Sequence, residues 1–138
     1  MNPRTKIFIA ENDCASLVSL MLWLEQFPEF EVEGAAISGA DWIARINEHR
    51  PDVVLLDSTF FRPENLPSLR AVKSGPFAPG ILVKTVNNQQ LDSLIANEAD
   101  ETLGSEASIK DLCEAIRKAA NKRRVALSAA NMPITLAG

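Results

Sequence analysis

Pro51-Asp52-Val53-Val54-Leu55-Leu56-Asp57-Ser58 is the stretch that decides the fold. Four consecutive aliphatic residues stand between Asp52 and Asp57. The run is too short for a helix, it is β-branched at Val53 and Val54, and it is apolar at every position. That pattern predicts a strand buried on both faces, as in a parallel sheet covered by helices. Asp57 closes the run, so its carboxylate is expected at the carboxyl end of a central strand, the edge where open α/β sheets bind ligands. Taken alone, an aspartate that simply turns the chain is the plainer reading.

The flanking sequence repeats the theme. Lys6-Ile7-Phe8-Ile9-Ala10 is a first apolar strand, followed at once by Glu11-Asn12-Asp13. Asp13 suits an N-cap for a helix over residues 14–27, closed by Pro28. Residues 30–37 alternate as a second strand, and 39–50 set Trp42, Ile43 and Ile46 at core spacing on a helix. After Asp57, residues 58–80 are rich in Pro and Gly, with a short helix around 66–73. Ile81-Leu82-Val83-Lys84-Thr85 is the fourth strand, 89–96 a helix and 101–103 a weak fifth strand. Ser108 caps a last helix, which lines up Ile109, Leu112, Cys113 and Ile116 and runs to about 122. Residues 1–122 therefore read as one domain and 123–138 as a tail or linker.

Strand and helix alternate five times, which implies right-handed crossovers and an α/β, doubly wound five-stranded parallel sheet. In the flavodoxin-like strand order 2-1-3-4-5, the strands ending at Glu11-Asn12-Asp13, Asp57 and Thr85 are neighbours. Carboxylate and amide oxygens converging there suit a hard cation such as Mg²⁺. An aspartate beside Mg²⁺ is a credible phosphoryl acceptor. If Glu11, Asp13 and Asp57 cluster, their repulsion should raise at least one carboxyl pKa.

Composition narrows the function classes. The net charge of −4 provides no general attraction to nucleic acid or an anionic membrane. No apolar run reaches the roughly 20 residues of a membrane span, and the N-terminus lacks a signal-peptide core, so a cytoplasmic protein is expected. His49 is the one histidine, which argues against a histidine metal site or catalytic triad; it reads as a solvated cation ending a helix. Cys14 and Cys113 read as buried thiols, and Trp23 and Trp42 as core or semi-core aromatics. The glycines form no dinucleotide or P-loop motif. The basic residues Arg117, Lys118, Lys122, Arg123 and Arg124 read as a solvated helix end, with a nucleic-acid patch as the minority reading.

The sequence resembles the receiver domain of two-component response regulators, of the LuxR/NarL type. The segments that carry the resemblance are Ile7-Phe8-Ile9-Ala10-Glu11-Asn12, Pro51 to Asp57, Ile81 to Thr85 and Asn97-Glu98-Ala99-Asp100, in that order and spacing. It implies a CheY-like fold with Asp57 as phosphoacceptor, Glu11 and Asn12 as the metal-binding pair, the Thr59 carbonyl as a further metal ligand and Thr85 as the switch hydroxyl. Asp13 is a partial substitute ligand. It also implies a sensor histidine kinase upstream, transcriptional output and no enzymatic turnover. The departures imply an atypical receiver with weak Mg²⁺ binding and weak or absent phosphorylation. Asn12 replaces a second acid, Ser105 stands where the family has a lysine, and Thr102 replaces the switch aromatic. Lys84, one residue before Thr85, is expected on the opposite face of its strand. The alternative is a Mg²⁺-dependent phosphoryl-transfer enzyme with Asp57 as nucleophile.

The first helix carries more apolar residues than one buried stripe needs. Leu20, Trp23, Leu24 and Phe27 form a stripe at i, i+3, i+4 and i+7, which leaves Leu17, Val18, Met21 and Leu22 as a predicted interface. A homodimer or partner complex through the first and last helices is expected, unless residues 125–138 fold back over the patch.

Overall fold

A computed structural model describes residues 4–37, 42–85 and 93–130. The elements are β1 (Thr5–Ala10), α1 (Cys14–Glu25), β2 (Phe30–Ala36), α2 (Trp42–His49), β3 (Val53–Asp57), α3 (Leu66–Ser74), β4 (Gly80–Lys84), α4 (Ser93–Ala96), β5 (Glu101–Leu103) and α5 (Ile109–Ala130). A 3₁₀ turn over Pro63–Asn65 leads into α3. All ladders are parallel, and the strand order is β2-β1-β3-β4-β5. This is the flavodoxin-like fold that the alternation predicts.

Side-chain alternation divides the core into two layers. Ile7, Ile9, Val53, Leu55 and Leu82 face α1 and α5, where they meet Leu17, Leu20, Leu24, Leu112 and Ile116. Phe8, Val54, Leu56, Ile81 and Val83 face the other way, toward Trp42, Ile46, Leu69 and Val72 of α2 and α3. Every residue of β3 is buried, including Asp57. The central strand is therefore enclosed on both faces and opens only at its ends.

The structure changes several expectations. In α1, Leu17 is only 5% exposed and belongs to the core, while Trp23 is 46% exposed. Met21 packs partly buried against the same layer. The inward stripe is therefore Leu17, Leu20 and Leu24. A helix apolar on nearly every side fixes its own phase poorly, and contact with the sheet decides it. Cys14 is exposed; only Cys113 is buried. His49 is not a solvated cap: its ring packs 5.8 Å from Phe8 and occupies the space above Gly34.

The last helix does not stop near 122 but continues to Ala130. Arg123 holds it to the sheet, donating from Nε to the Ala78 carbonyl (2.7 Å) and from a terminal nitrogen to Asp52 Oδ1 (2.8 Å). Residues 123–130 contain good helix formers and no Pro or Gly, so the helix persists after its apolar period is lost. The expected starts of the second and fourth helices, and the second half of the expected tail (131–138), lie outside the described residues. Among the described residues no helix is long and apolar enough to cross a membrane.

Close contact between α5 and β4 depends on Gly80. A Cβ there would lie 2.4 Å from the Ala119 carbonyl oxygen and 2.8 Å from its carbon. Backbone atoms cannot rotate aside, so Gly80→Ala is expected to destabilise the protein by about 1–3 kcal/mol. Gly104→Ala, where nothing lies within 4 Å of the added carbon, should stay within about 0.5 kcal/mol of wild type. Urea denaturation of both variants checks the pair, and equal midpoints would contradict this packing account.

Candidate functional site

The site forms because three strands end in polar residues of the same parity. Glu11 follows Ile7 and Ile9, Asp57 follows Val53 and Leu55, and Lys84 follows Leu82. All of those apolar residues face the α1/α5 layer, so the three polar ones emerge on that same face of the sheet. Asp57 and Lys84 are direct register partners. Ala10 and Leu56, which precede Glu11 and Asp57, are also partners.

Glu11 and Asp57 are both buried, and their carboxyl groups are close enough to share a proton. Burial is the main cause that raises the Glu11 pKa above the ordinary carboxylate range, and the neighbouring Asp57 carboxyl adds to it. Lys84 opposes the shift, with its Nζ 3.6 Å from Glu11 Oε2. Glu11 Oε1 also accepts the Asp13 N–H at 3.1 Å.

Thr59 holds the other side of Asp57. Its backbone N–H and its hydroxyl both donate to Asp57 Oδ1, at 2.8 Å and 2.6 Å. The Thr59 hydroxyl also lies 3.2 Å from Asn12 Oδ1. It has a single proton, and the shorter contact to the carboxylate takes it. The site thus joins Glu11, Asn12, Asp57, Thr59 and Lys84.

Two sequence-derived candidates face elsewhere. The Asp13 carboxylate accepts from Ser16 N (3.3 Å) and Ser16 Oγ (2.6 Å) and caps α1. The Ser16 hydroxyl is the main cause of its lowered pKa. Thr85 donates its hydroxyl to the Leu103 carbonyl at 3.2 Å, so it is tied to β5 rather than to Asp57. Lys84 is the residue that sequence reasoning misplaced. Counting alternate positions back from Asp57 and Lys84 to Leu55 and Leu82 would have found it. At the last position of a strand, a lysine stem can also bend over the sheet edge.

Among the described residues no group of three or more His, Cys, Asp or Glu is arranged to hold a metal ion. The oxygens of Glu11, Asn12 and Asp57 are of the kind Mg²⁺ accepts. A cation entering here would meet Lys84 already on Glu11 and Thr59 already on Asp57 Oδ1.

No protein-family profile matches the sequence. The fold is that of response-regulator receiver domains. The signal receiver domain of the response regulator NarL from Mycobacterium tuberculosis superposes with a TM-score of 0.72 at 18% identity, over 87% of this chain and 98% of that one. A DNA-binding response regulator of the LuxR family from Staphylococcus aureus gives 0.71 at 24% identity, over 85% and 99%. The response regulator domain of Thermotoga maritima CheB gives 0.68 at 16%, over 86% and 97%. In sequence, the chain is 29% identical over 84 residues to a protein-glutamate methylesterase/protein-glutamine glutaminase of Syntrophomonas wolfei, which is 61% of this chain. The aligned part spans about a quarter (24%) of that relative's length.

The raised Glu11 pKa has a consequence for stability. A carboxyl with a higher pKa folded than unfolded binds more protons in the native state, so its contribution to stability falls as pH rises through that window. The stability of Glu11→Gln relative to wild type, whatever its sign at a given pH, should therefore shift in favour of the variant as pH rises through and above the ordinary carboxylate range. Urea denaturation at a series of pH values tests this; a difference that does not change with pH would mean that Glu11 titrates normally.

Proposed function

We propose that the chain is an atypical receiver module of a response regulator, with its acidic pocket already neutralised by Lys84. The observation that carries the reading is the Lys84–Glu11 ion pair beside the buried Asp57. Asp57 stands where the receiver resemblance expects a phosphoacceptor, but Thr59 occupies Oδ1 and the Glu11 carboxyl is crowded against it. Asp57 phosphorylation is consequently weak or absent. Mg²⁺, if bound, takes Glu11, Asp57, Asn12 and the Thr59 carbonyl; it would offset phosphoryl charge there, and Lys84 competes with it.

Output passes through protein contacts. Val18 and Leu22 lie on α1 at 49% and 56% exposure, and Val125 on α5 is also exposed. We assign these two helices to a homodimer or partner interface, with Val18 and Leu22 replacing the wider set that included Leu17. A sensor kinase upstream, transcriptional regulation downstream and a cytoplasmic location complete the proposal. Support for the transcriptional part comes from the likeness to the LuxR-family regulator.

Intact-mass spectrometry after treatment with a small phosphodonor and Mg²⁺ tests the pocket. Only a minor modified fraction is expected in wild type; stoichiometric modification that disappears in Asp57→Ala would refute a weak acceptor. In a parallel Mg²⁺ titration, Lys84→Met should bind about tenfold more tightly than wild type, because one competing charge is gone. For the interface, light scattering should show wild type above monomer mass and Val18→Glu/Leu22→Glu as a monomer. A wild-type monomer at high concentration would remove the dimer from the proposal.

A further inference from the structure

The opposite edge of the sheet carries a second charged site. The start of β1, the segment between α2 and β3, and the later turns of α5 enclose a cleft of about 350 Å³. Its charged lining is Arg4, Lys6, Arg50, Arg123 and Arg124, with Asp52 the one acid among them.

Asp52 is fully engaged within the fold. Its Oδ1 accepts from Arg123 (2.8 Å), and its Oδ2 accepts the Lys6 N–H (2.8 Å). Arg123 and Asp52 therefore form a neutral strut between α5 and the sheet. The Lys6 ammonium is half-exposed, and its one ion pair among the described residues is with Glu33, at 3.9 Å. Arg4, Arg50 and Arg124 form no ion pair among the described residues. The Arg50 guanidinium lies 4.1 Å from the Phe77 ring centroid, which restricts where it points.

Four cations that Asp52 leaves unneutralised thus line one small cleft in a chain whose net charge is −4. Like charges lining one cleft repel one another and concentrate positive potential where an anion can enter. Guanidinium groups match phosphate oxygens in bidentate geometry, and several of them favour a ligand with more than one negative charge. The volume falls in the range of small-molecule sites. A polynucleotide backbone would instead require an extended basic stripe. We propose that this cleft binds a small oligophosphate, such as inorganic pyrophosphate or the phosphate end of a nucleotide. The inference does not depend on the function assigned to Asp57.

Titrating the full chain with inorganic pyrophosphate at about 150 mM salt tests it, with backbone amide shifts as the readout. Saturable binding is expected, with shifts concentrated at residues 4–6, 50–53 and 120–124. Arg4→Gln/Arg124→Gln leaves the Arg123–Asp52 strut intact and should weaken binding by about tenfold or more. Lys110→Gln, elsewhere on α5, should bind as wild type does. Lack of saturation, shifts scattered over the surface, or equal affinity in the double variant would each overturn the proposal. So would a short DNA duplex binding the same residues more tightly than pyrophosphate, which would make the cleft part of a nucleic-acid surface.

Discussion

Two carboxylates buried side by side govern the functional edge of this protein. Glu11 and Asp57 end adjacent strands, both are removed from water, and they cannot both carry full charge without compensation. The fold supplies the compensation in three parts. The Glu11 pKa is raised, chiefly by burial, Thr59 donates twice to Asp57, and Lys84 sets its ammonium beside Glu11 and opposes that rise. The pocket is therefore closed by its own side chains, which limits how strongly an added metal or phosphoryl group can be held.

Both core layers serve that arrangement. The strands fix the parity that puts Glu11, Asp57 and Lys84 on one face, and α1 and α5 cover the apolar residues immediately beneath them. Gly80 lets α5 lie directly on β4. One turn further along α5, the Arg123–Asp52 strut fastens the helix to the same amino-terminal edge of the sheet. The acidic and basic sites consequently stand at opposite ends of the same strands. The exposed face of α1 is separate from both.

Much of this was legible in the residues. The unbroken apolar run before Asp57 identifies a doubly covered strand, and the alternation around it yields the strand order. From that order, the meeting of Glu11 and Asp57 follows without a structure. Three features were harder to read. Apolar residues occur nearly all round α1, so local pattern does not choose between Leu17 and Trp23 as the buried position. The α5 extension is held by Arg123 binding to residues distant in sequence, not by an apolar stripe. Alternation counted from Thr85 as the inward residue of β4 turns Lys84 away, whereas register with Asp57 makes Lys84 the inward one.

The most direct test of the account is a double-mutant cycle on the pocket, using Glu11→Gln, Lys84→Met and the combined variant, with stability measured by urea denaturation at neutral pH. If Lys84 is the resident cation of the buried pair, the two substitutions should couple by about 1 kcal/mol or more, because removing either partner strands the other. Effects that add to within about 0.3–0.5 kcal/mol would mean that Lys84 and Glu11 act independently, which would contradict the central claim.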